Sequence, residues 1–424
     1  MSVKILAKKI AVHIPAAKRA AVRVRDRIGV RRYQKQYANR IRTDVKQVVF
    51  TAYSGRQYAC SPKALYEKML SMEEYAQYHF TWAFLRPEDF AFLKERPRTT
   101  VVRYRSEEYY KAMAAAGTWI SNTRVPSEVW PKEDQLYVQT WHGTPFKKLG
   151  YDVTNYIHGA DDKKSLRYSY LTDARRMGML LSPSPYYTEH MVTAFHLDAL
   201  GKASIVLEKG YPRNDSLYTA TEEDVARIRE QLGVAGKKVI LYAPTWREKN
   251  LHPETGHGYA EGMEFNMGWD VNAWEDYLVS QGEDPGEYAV LLRTHYFDVA
   301  GEDIFCHAML KDVSEYPEIN DLYLAADVLL TDYSSVFYDY KILQKPAVFY
   351  LYDLEDYRGV RDFYMDPDKL PGPVCTTRQR MHEALLGALK GEVREEPKRD
   401  EAFLNTFAPT KGPCSETVLR HIFR

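Results

Sequence analysis

The stretch A-D-V-L-L-T-D-Y-S-S-V-F-Y-D-Y, Ala326 to Tyr340, decides the fold. An apolar run ends at Thr331, a polar turn with Ser334 and Ser335 follows, and an amphipathic helical pattern begins at Val336. Strand, loop and helix in that order are the unit of an open parallel sheet, where ligands bind beyond the carboxyl ends of the strands. A helix N-terminus at that place offers unsatisfied backbone N–H groups and a positive dipole end, which favour phosphate. The two serine hydroxyls add donors. The structural alternative is that Asp332 and the serines only cap the helix.

The same alternation extends through the chain. Strands are predicted at Gln47–Ala52, Thr99–Tyr104, Gln135–Thr140, Met179–Leu181 and Ser204–Leu207, with helices at Pro62–Leu70, Glu107–Gly117 and from a Ser184 cap to Phe195. A second series has helices at Glu222–Leu232 and Trp274–Ser280, and strands at Lys238–Ala243, Tyr288–Leu292, Ala326–Thr331 and Ala347–Leu351. Residues 248–268 read as a loop over a site, and Ser415–Phe423 as a terminal helix. Two consecutive βαβ series predict an α/β protein of two doubly wound, parallel-sheet domains facing a ligand cleft. The expected divisions are an arm at 1–46, domains at 47–207 and 208–400, and a C-terminal helix at 401–424.

Formal net charge is zero, yet residues 1–46 hold 14 Lys/Arg against Asp26 and Asp44, so the arm is +12 and the remainder −12. Val3, Leu6, Ala7, Ile10 and Ile14 share one helical face; Pro15 interrupts; Ala17, Ala21, Val24 and Ile28 continue a weaker stripe among arginines. That pattern suits an interfacial helix on anionic lipid. The alternatives are an arm that is solvated or packed on its own body, and a nucleic-acid arm, which the scarcity of aromatics among the early charges disfavours. Cys60, Cys306, Cys375 and Cys414 fit neither a zinc spacing nor a disulfide framework, so a reducing, cytosolic setting is expected. No apolar run of about 18 residues predicts a membrane span, and the N-terminus lacks the apolar core of a secretory signal. The 33 tyrosines suit wet interfaces and sugar-like ligands.

Polar residues stand just after the predicted strands. His142, with Gly143 beside it, follows Gln135–Thr140; Arg247 follows Lys238–Ala243; Arg293 and His295 follow Tyr288–Leu292; Arg213 follows Ser204–Leu207 in G-Y-P-R-N-D. With Ser334 and Ser335 they converge on a polyanion site. Neither a metal-ligand spacing nor a Walker loop is present in the sequence. A lone histidine after a strand is more often structural, and His158, His190, His196, His252 and His307 take that reading. Shared placement at strand ends of separate domains lifts His142 and His295 above them.

The segments W-H-G-T-P (Trp141–Pro145), G-Y-P-R-N-D (Gly210–Asp215), Y-A-P-T-W-R (Tyr242–Arg247), R-T-H (Arg293–His295) and T-D-Y-S-S (Thr331–Ser335) resemble the CDP-glycerol glycerophosphotransferase family, whose members make and extend teichoic acids. The resemblance runs from about Val48 to the C-terminus. It implies a GT-B-type unit of two Rossmann-like domains, with the nucleotide held mainly by the second. It implies His142 as general base and His295 as a pyrophosphate contact and leaving-group stabiliser. Gly143, Thr144, Pro145, Arg213, Thr245, Arg293, Thr294, Ser334, Ser335 and Asp339 fall on donor-binding positions, with Arg247 and Asp332 as further candidates. The implied substrate is CDP-glycerol or CDP-ribitol, with no cofactor and no metal. The implied acceptor rides on a polyprenyl diphosphate, so the enzyme is expected at the cytoplasmic face of the membrane, held peripherally by residues 1–46, with no nucleic-acid partner. Primer addition and polymerisation both fit. Two readings from other classes stand beside this one: a sugar-nucleotide glycosyltransferase on the same fold, and a non-catalytic polyanion- or lipid-binding protein, against which the retention of both histidines argues.

Overall fold

The computed structural model describes residues 15–154, 163–245, 268–294, 307–360, 362–392 and 397–424. Two parallel sheets organise them. The first contains β1 (Asp44–Thr51), β2 (His79–Phe84), β3 (Thr99–Arg103), β4 (Ala116–Ser121), β5 (Leu136–Gln139), β6 (Met179–Ser182) and β7 (Val206–Glu208), in the order β3-β2-β1-β4-β5-β6-β7. The second contains β8 (Lys238–Ala243), β9 (Tyr288–Leu292), β10 (Leu310–Asp312), β11 (Val328–Thr331), β12 (Ala347–Tyr350) and β13 (Val374–Cys375), in the order β10-β9-β8-β11-β12-β13. In each sheet the winding direction reverses once, between β1 and β4 and between β8 and β11. Connections leave such a pair of strands in opposite directions, which opens a crevice at their carboxyl ends.

Strands covered on both faces read as unbroken apolar runs. β9, Tyr-Ala-Val-Leu-Leu, is buried at every position, and β8 and β9 span the residues predicted for them. β4 is also buried throughout, yet its sequence is Ala-Gly-Thr-Trp-Ile-Ser, and the predicted helix overran its start. The helix ends at Ala115 because the chain must enter the sheet centre there. A side chain at Gly117 would not fit: its Cβ would lie 2.7 Å from Val45 Cα on the neighbouring strand. β2, β10 and β13 likewise escape the sequence pattern. The tyrosine excess goes largely inward, with Tyr66, Tyr109, Tyr137, Tyr288 and Tyr333 fully buried.

Both ends of the described chain are tied to the body. Pro15 opens a helix to Tyr33, a first-turn position where its missing N–H costs nothing; residues before it lie outside the described set. Tyr33 and Ala38 are part of the first domain's core. At the other end, the helix Pro397–Phe407 straddles the expected 400/401 division and packs Phe403 and Phe407 into the second domain. A buried ion pair, Lys341 Nζ to Asp400 at 2.7 Å, anchors it. The last helix, Ser415–Ile422, crosses back: Val418, Leu419 and Ile422 pack with Leu65 and Met69 of the first domain. Among the described residues no helix is long and apolar enough to cross a membrane.

One buried network sets the loop beyond β4. Arg176 pairs with Asp173 at 2.7 Å, both side chains almost fully enclosed. The same guanidinium donates to the carbonyls of Val125 (3.0 Å), Pro126 (2.6 Å) and Val129 (2.9 Å). Asp173 also accepts from Tyr137 and Gln139, and its burial pushes its pKa up while Arg176 pulls it down. Removing one partner strands the other charge in the core. Arg176→Ala is therefore expected to lower unfolding free energy by about 3–5 kcal/mol, measured by urea denaturation.

Candidate active site

At the first switch point the loops after β1, β4 and β5 meet around His142. Its Nδ1 lies 2.7 Å from the carbonyl oxygen of Asn122, the residue after β4. A carbonyl only accepts, so Nδ1 carries a proton, and in the neutral form of the ring the lone pair is on Nε2. The imidazole stacks on Trp141 (centroids 4.5 Å apart) and meets the ring of Tyr53, after β1, at 5.8 Å. It is half-buried. Trp141 takes a left-handed φ of 51°, a strained conformation of the kind concentrated at functional sites.

The chain then crosses to the other domain. Gly143 N donates to the Tyr211 hydroxyl (2.9 Å), whose pKa burial pushes well up. A Cβ built on Gly143 would sit 3.4 Å from Ser335 Oγ, so the two motifs approach within van der Waals contact. Thr144 and Pro145 are buried, and Phe146 enters the second domain's core against Phe337 (5.6 Å) and Phe363 (4.9 Å). Main-chain bonds continue the join: Tyr364 N to Phe146 O and Lys148 N to Asp362 O, both 2.9 Å.

At the second switch point, Asp332 after β11 accepts from Thr245 N after β8 at 2.7 Å. That bond spans the crevice floor, so Asp332 is used in joining two loops. Ser334 and Ser335 are partly exposed, and the Ser335 side chain makes no capping bond to the helix Val336–Tyr340. The helix is short, five residues. Arg293 donates to the carbonyls of Val313 and Tyr316, each at 2.6 Å, and Thr294 N donates to Ser314 Oγ at 3.0 Å. Arg213 and Asp339, both on donor-binding positions by resemblance, form an ion pair of 3.3 Å with side chains only 8% and 5% exposed. Arg213 Nη1 also donates to the His142 carbonyl at 2.5 Å, and Asn214 donates to Asp339 at 2.7 Å. This pair braces the backbone that carries His142. His295 and Arg247 lie outside the described residues.

Sequence reasoning missed Asn122, Tyr53, Tyr211 and Phe146. Asn122 follows the unrecognised β4; the polar triplet Ser121-Asn122-Thr123 after Trp-Ile carried the same strand-end signal used elsewhere. Of the histidines set aside, His190 stacks on Tyr364 (4.1 Å), His196 stacks on Tyr151 (4.2 Å), and His307 pairs with Glu275 (3.1 Å).

Residues 33–424 match the family described as CDP-Glycerol:Poly(glycerophosphate) glycerophosphotransferase. The chain is 35% identical over 383 residues to the teichoic acid glycerol-phosphate transferase of Staphylococcus aureus, covering 89% of this chain and 92% of that protein. It superposes on the wall teichoic acid polymerase TagF with a TM-score of 0.76 at 30% identity, over 100% of this chain and 98% of that one. A ribitol-phosphate polymerase of the same Staphylococcus matches less of the chain, 69%, at 29% identity, and this chain spans 48% of its length.

The crossing of residues 143–149 makes Phe146 a core residue of a domain to which it does not belong in sequence. Phe146→Ala is expected to cost about 3–5 kcal/mol in denaturant unfolding; a change under about 0.5 kcal/mol, the range of ordinary surface substitutions, would mean that the ring does not pin the domains.

Proposed function

The chain belongs to the CDP-glycerol:poly(glycerophosphate) glycerophosphotransferase family, and we propose that it moves glycerol phosphate from CDP-glycerol to a hydroxyl of a teichoic-acid-type acceptor, releasing CMP. The observation that carries the mechanism is His142: a histidine with its tautomer fixed by a carbonyl, at the point where both domains meet. Its Nε2 takes the proton of the acceptor hydroxyl. The oxygen bonds to the β-phosphorus, the bond from that phosphorus to the bridging oxygen breaks, and CMP leaves with the electron pair. Imidazole chemistry near neutral pH suits this role.

The second domain supplies the donor side. Ser335 meets the Gly143 backbone across the domain junction, Ser334 stands beside it in the chain, and the Thr245–Asp332 bond joins the loops after β8 and β11. Arg293, placed by two carbonyls, with His295 and Arg247 of the neighbouring motifs, offers positive charge for the transferring and leaving phosphates. Arg213 and Asp339 act as positioning residues. No resident metal or cofactor enters this reading. Glycerol is favoured over ribitol because the glycerol-phosphate relative matches more of the chain.

The acceptor in this reading is lipid-linked, and the helix Pro15–Tyr33 is the membrane contact. Val24 (54% exposed) and Ile28 (60% exposed) sit one turn apart on its outer face beside Arg27 and Arg31. Apolar residues flanked by cations on an exposed helical face suit an anionic bilayer.

Three outcomes are expected. Purified protein should release CMP from CDP-glycerol only with acceptor present; release from CDP-ribitol alone would make it a ribitol enzyme, and UDP- or GDP-sugar turnover a glycosyltransferase. His142→Ala should lower turnover by about 10²–10⁴-fold while calorimetry shows unchanged CDP-glycerol affinity; near-normal turnover would remove His142 from the mechanism. Val24→Asp with Ile28→Asp should abolish co-sedimentation with phosphatidylglycerol vesicles and leave thermal stability intact, since neither side chain is in a core.

A further inference from the structure

The helix Pro15–Tyr33 has a second face. Positions 19, 22, 23 and 26 repeat at helical spacing and look toward the first domain, opposite Val24 and Ile28. Between this face and the domain lies a groove of about 700 Å³. Among the described residues nine Lys/Arg line it beside one carboxylate, Asp26; of the nine, Arg176 is held by Asp173, Arg25 by Asp26 and Arg105 by Glu128. The cations come from separate parts of the chain: Lys18, Arg19 and Arg23 from the helix, Arg56 from beyond β1, Arg124 from beyond β4, and Lys164 from the start of the helix Lys163–Arg176. The carboxylate is already engaged, accepting from Ser127 Oγ at 3.0 Å and pairing with Arg25 at 3.1 Å. Two guanidiniums are laid on aromatic rings, Arg23 over Tyr168 (5.3 Å) and Arg124 over Tyr170 (4.8 Å), which restricts their orientation.

The groove shares its supporting loops with His142. Ser54 lines it, and the preceding residue, Tyr53, touches the imidazole. Arg124 lines it, two residues past the Asn122 carbonyl that fixes the imidazole tautomer. The Arg176 network holds the loop that follows Arg124.

We propose that this groove binds the phosphate groups of the acceptor, the phosphodiesters or diphosphate adjoining the hydroxyl that reacts at His142. The inference rests on the glycerophosphate-transfer reading and adds a second polyanion site, separate from the donor's. Cations on several walls of a concavity match a chain of phosphates, which they can surround; a planar bilayer offers its headgroups to one side only, and the outer face of the same helix suits that partner. Such a site explains why the helix is clamped by Tyr33 and Ala38 in the core: it forms one wall of a substrate channel. Each charge-assisted contact raises affinity for an anion, and screening by salt weakens it.

The test uses the full chain and the double variant Arg56→Ala with Lys164→Ala, both off the membrane-facing helix and both exposed. The probe is a synthetic glycerol-phosphate oligomer without lipid. Loss of charge-assisted hydrogen bonds should raise its Kd, read by fluorescence anisotropy, by about tenfold or more. Its KM in CMP release should rise in parallel, while the KM for CDP-glycerol and co-sedimentation with phosphatidylglycerol vesicles stay unchanged. Wild-type affinity for the oligomer should fall as salt rises. An unchanged oligomer Kd in the variant overturns the proposal. So does a loss confined to vesicles, which would make the groove a lipid-headgroup site. If the wild type releases no CMP from CDP-glycerol, the transfer reading fails, and the anisotropy measurement still decides the groove.

Discussion

The structure depends on one crossing of the chain between its two domains. A strand of the first sheet ends, the chain turns through a strained Trp141, presents His142, and within four residues places Phe146 in the core of the second domain. The apolar burial of one aromatic ring thereby fixes the distance between His142 and the opposing serine loop. Gly143 is needed at the narrowest point, where its backbone donates to Tyr211 and its Cα faces Ser335. Cleft geometry is set here by packing, with hydrogen bonds refining it. The returning helix Ser415–Ile422 closes the arrangement from the other end of the chain.

Charge is handled differently according to burial. Arg176 with Asp173, and Arg213 with Asp339, are enclosed pairs whose value lies in fixing loops; desolvation offsets much of their attraction. Both pairs act on His142 from a distance, one through the loop beyond β4 and one through its own carbonyl. In the groove beside the helix Pro15–Tyr33, by contrast, Arg23 and Arg124 lie over tyrosine rings and Lys164 stands at a helix start, with Arg176 at the back of the same groove as the brace. The same residue type thus serves as a brace or as a binding group, and local burial decides which.

Much of the fold was legible because parallel strands covered on both faces are apolar runs. β8 and β9 could be read to the residue. β4 could not: a strand at the sheet centre accepted Gly117 because close approach to β1 mattered more than side-chain propensity. The cost was Asn122, the partner of His142, which no strand then pointed to. His142, Asp332 and the serine pair were picked out because strand ends in this architecture face the cleft, and Thr245 because it falls in a motif of the family. Arg213 and Asp339 stood out from family motifs, but their engagement with each other did not, since they stand 126 positions apart.

The α/β class, the two parallel sheets and the family could be read from the chain alone, because each follows from local pattern or from contiguous motifs. The tertiary structure alone decided which nitrogen of His142 holds the proton, which arginines are braces, and that a basic helix has one face for the outside and one for a groove. Those outcomes depend on contacts between residues far apart in the chain. Composition and periodicity carry no record of such contacts, because the energy that fixes them comes from burial and desolvation in the assembled core.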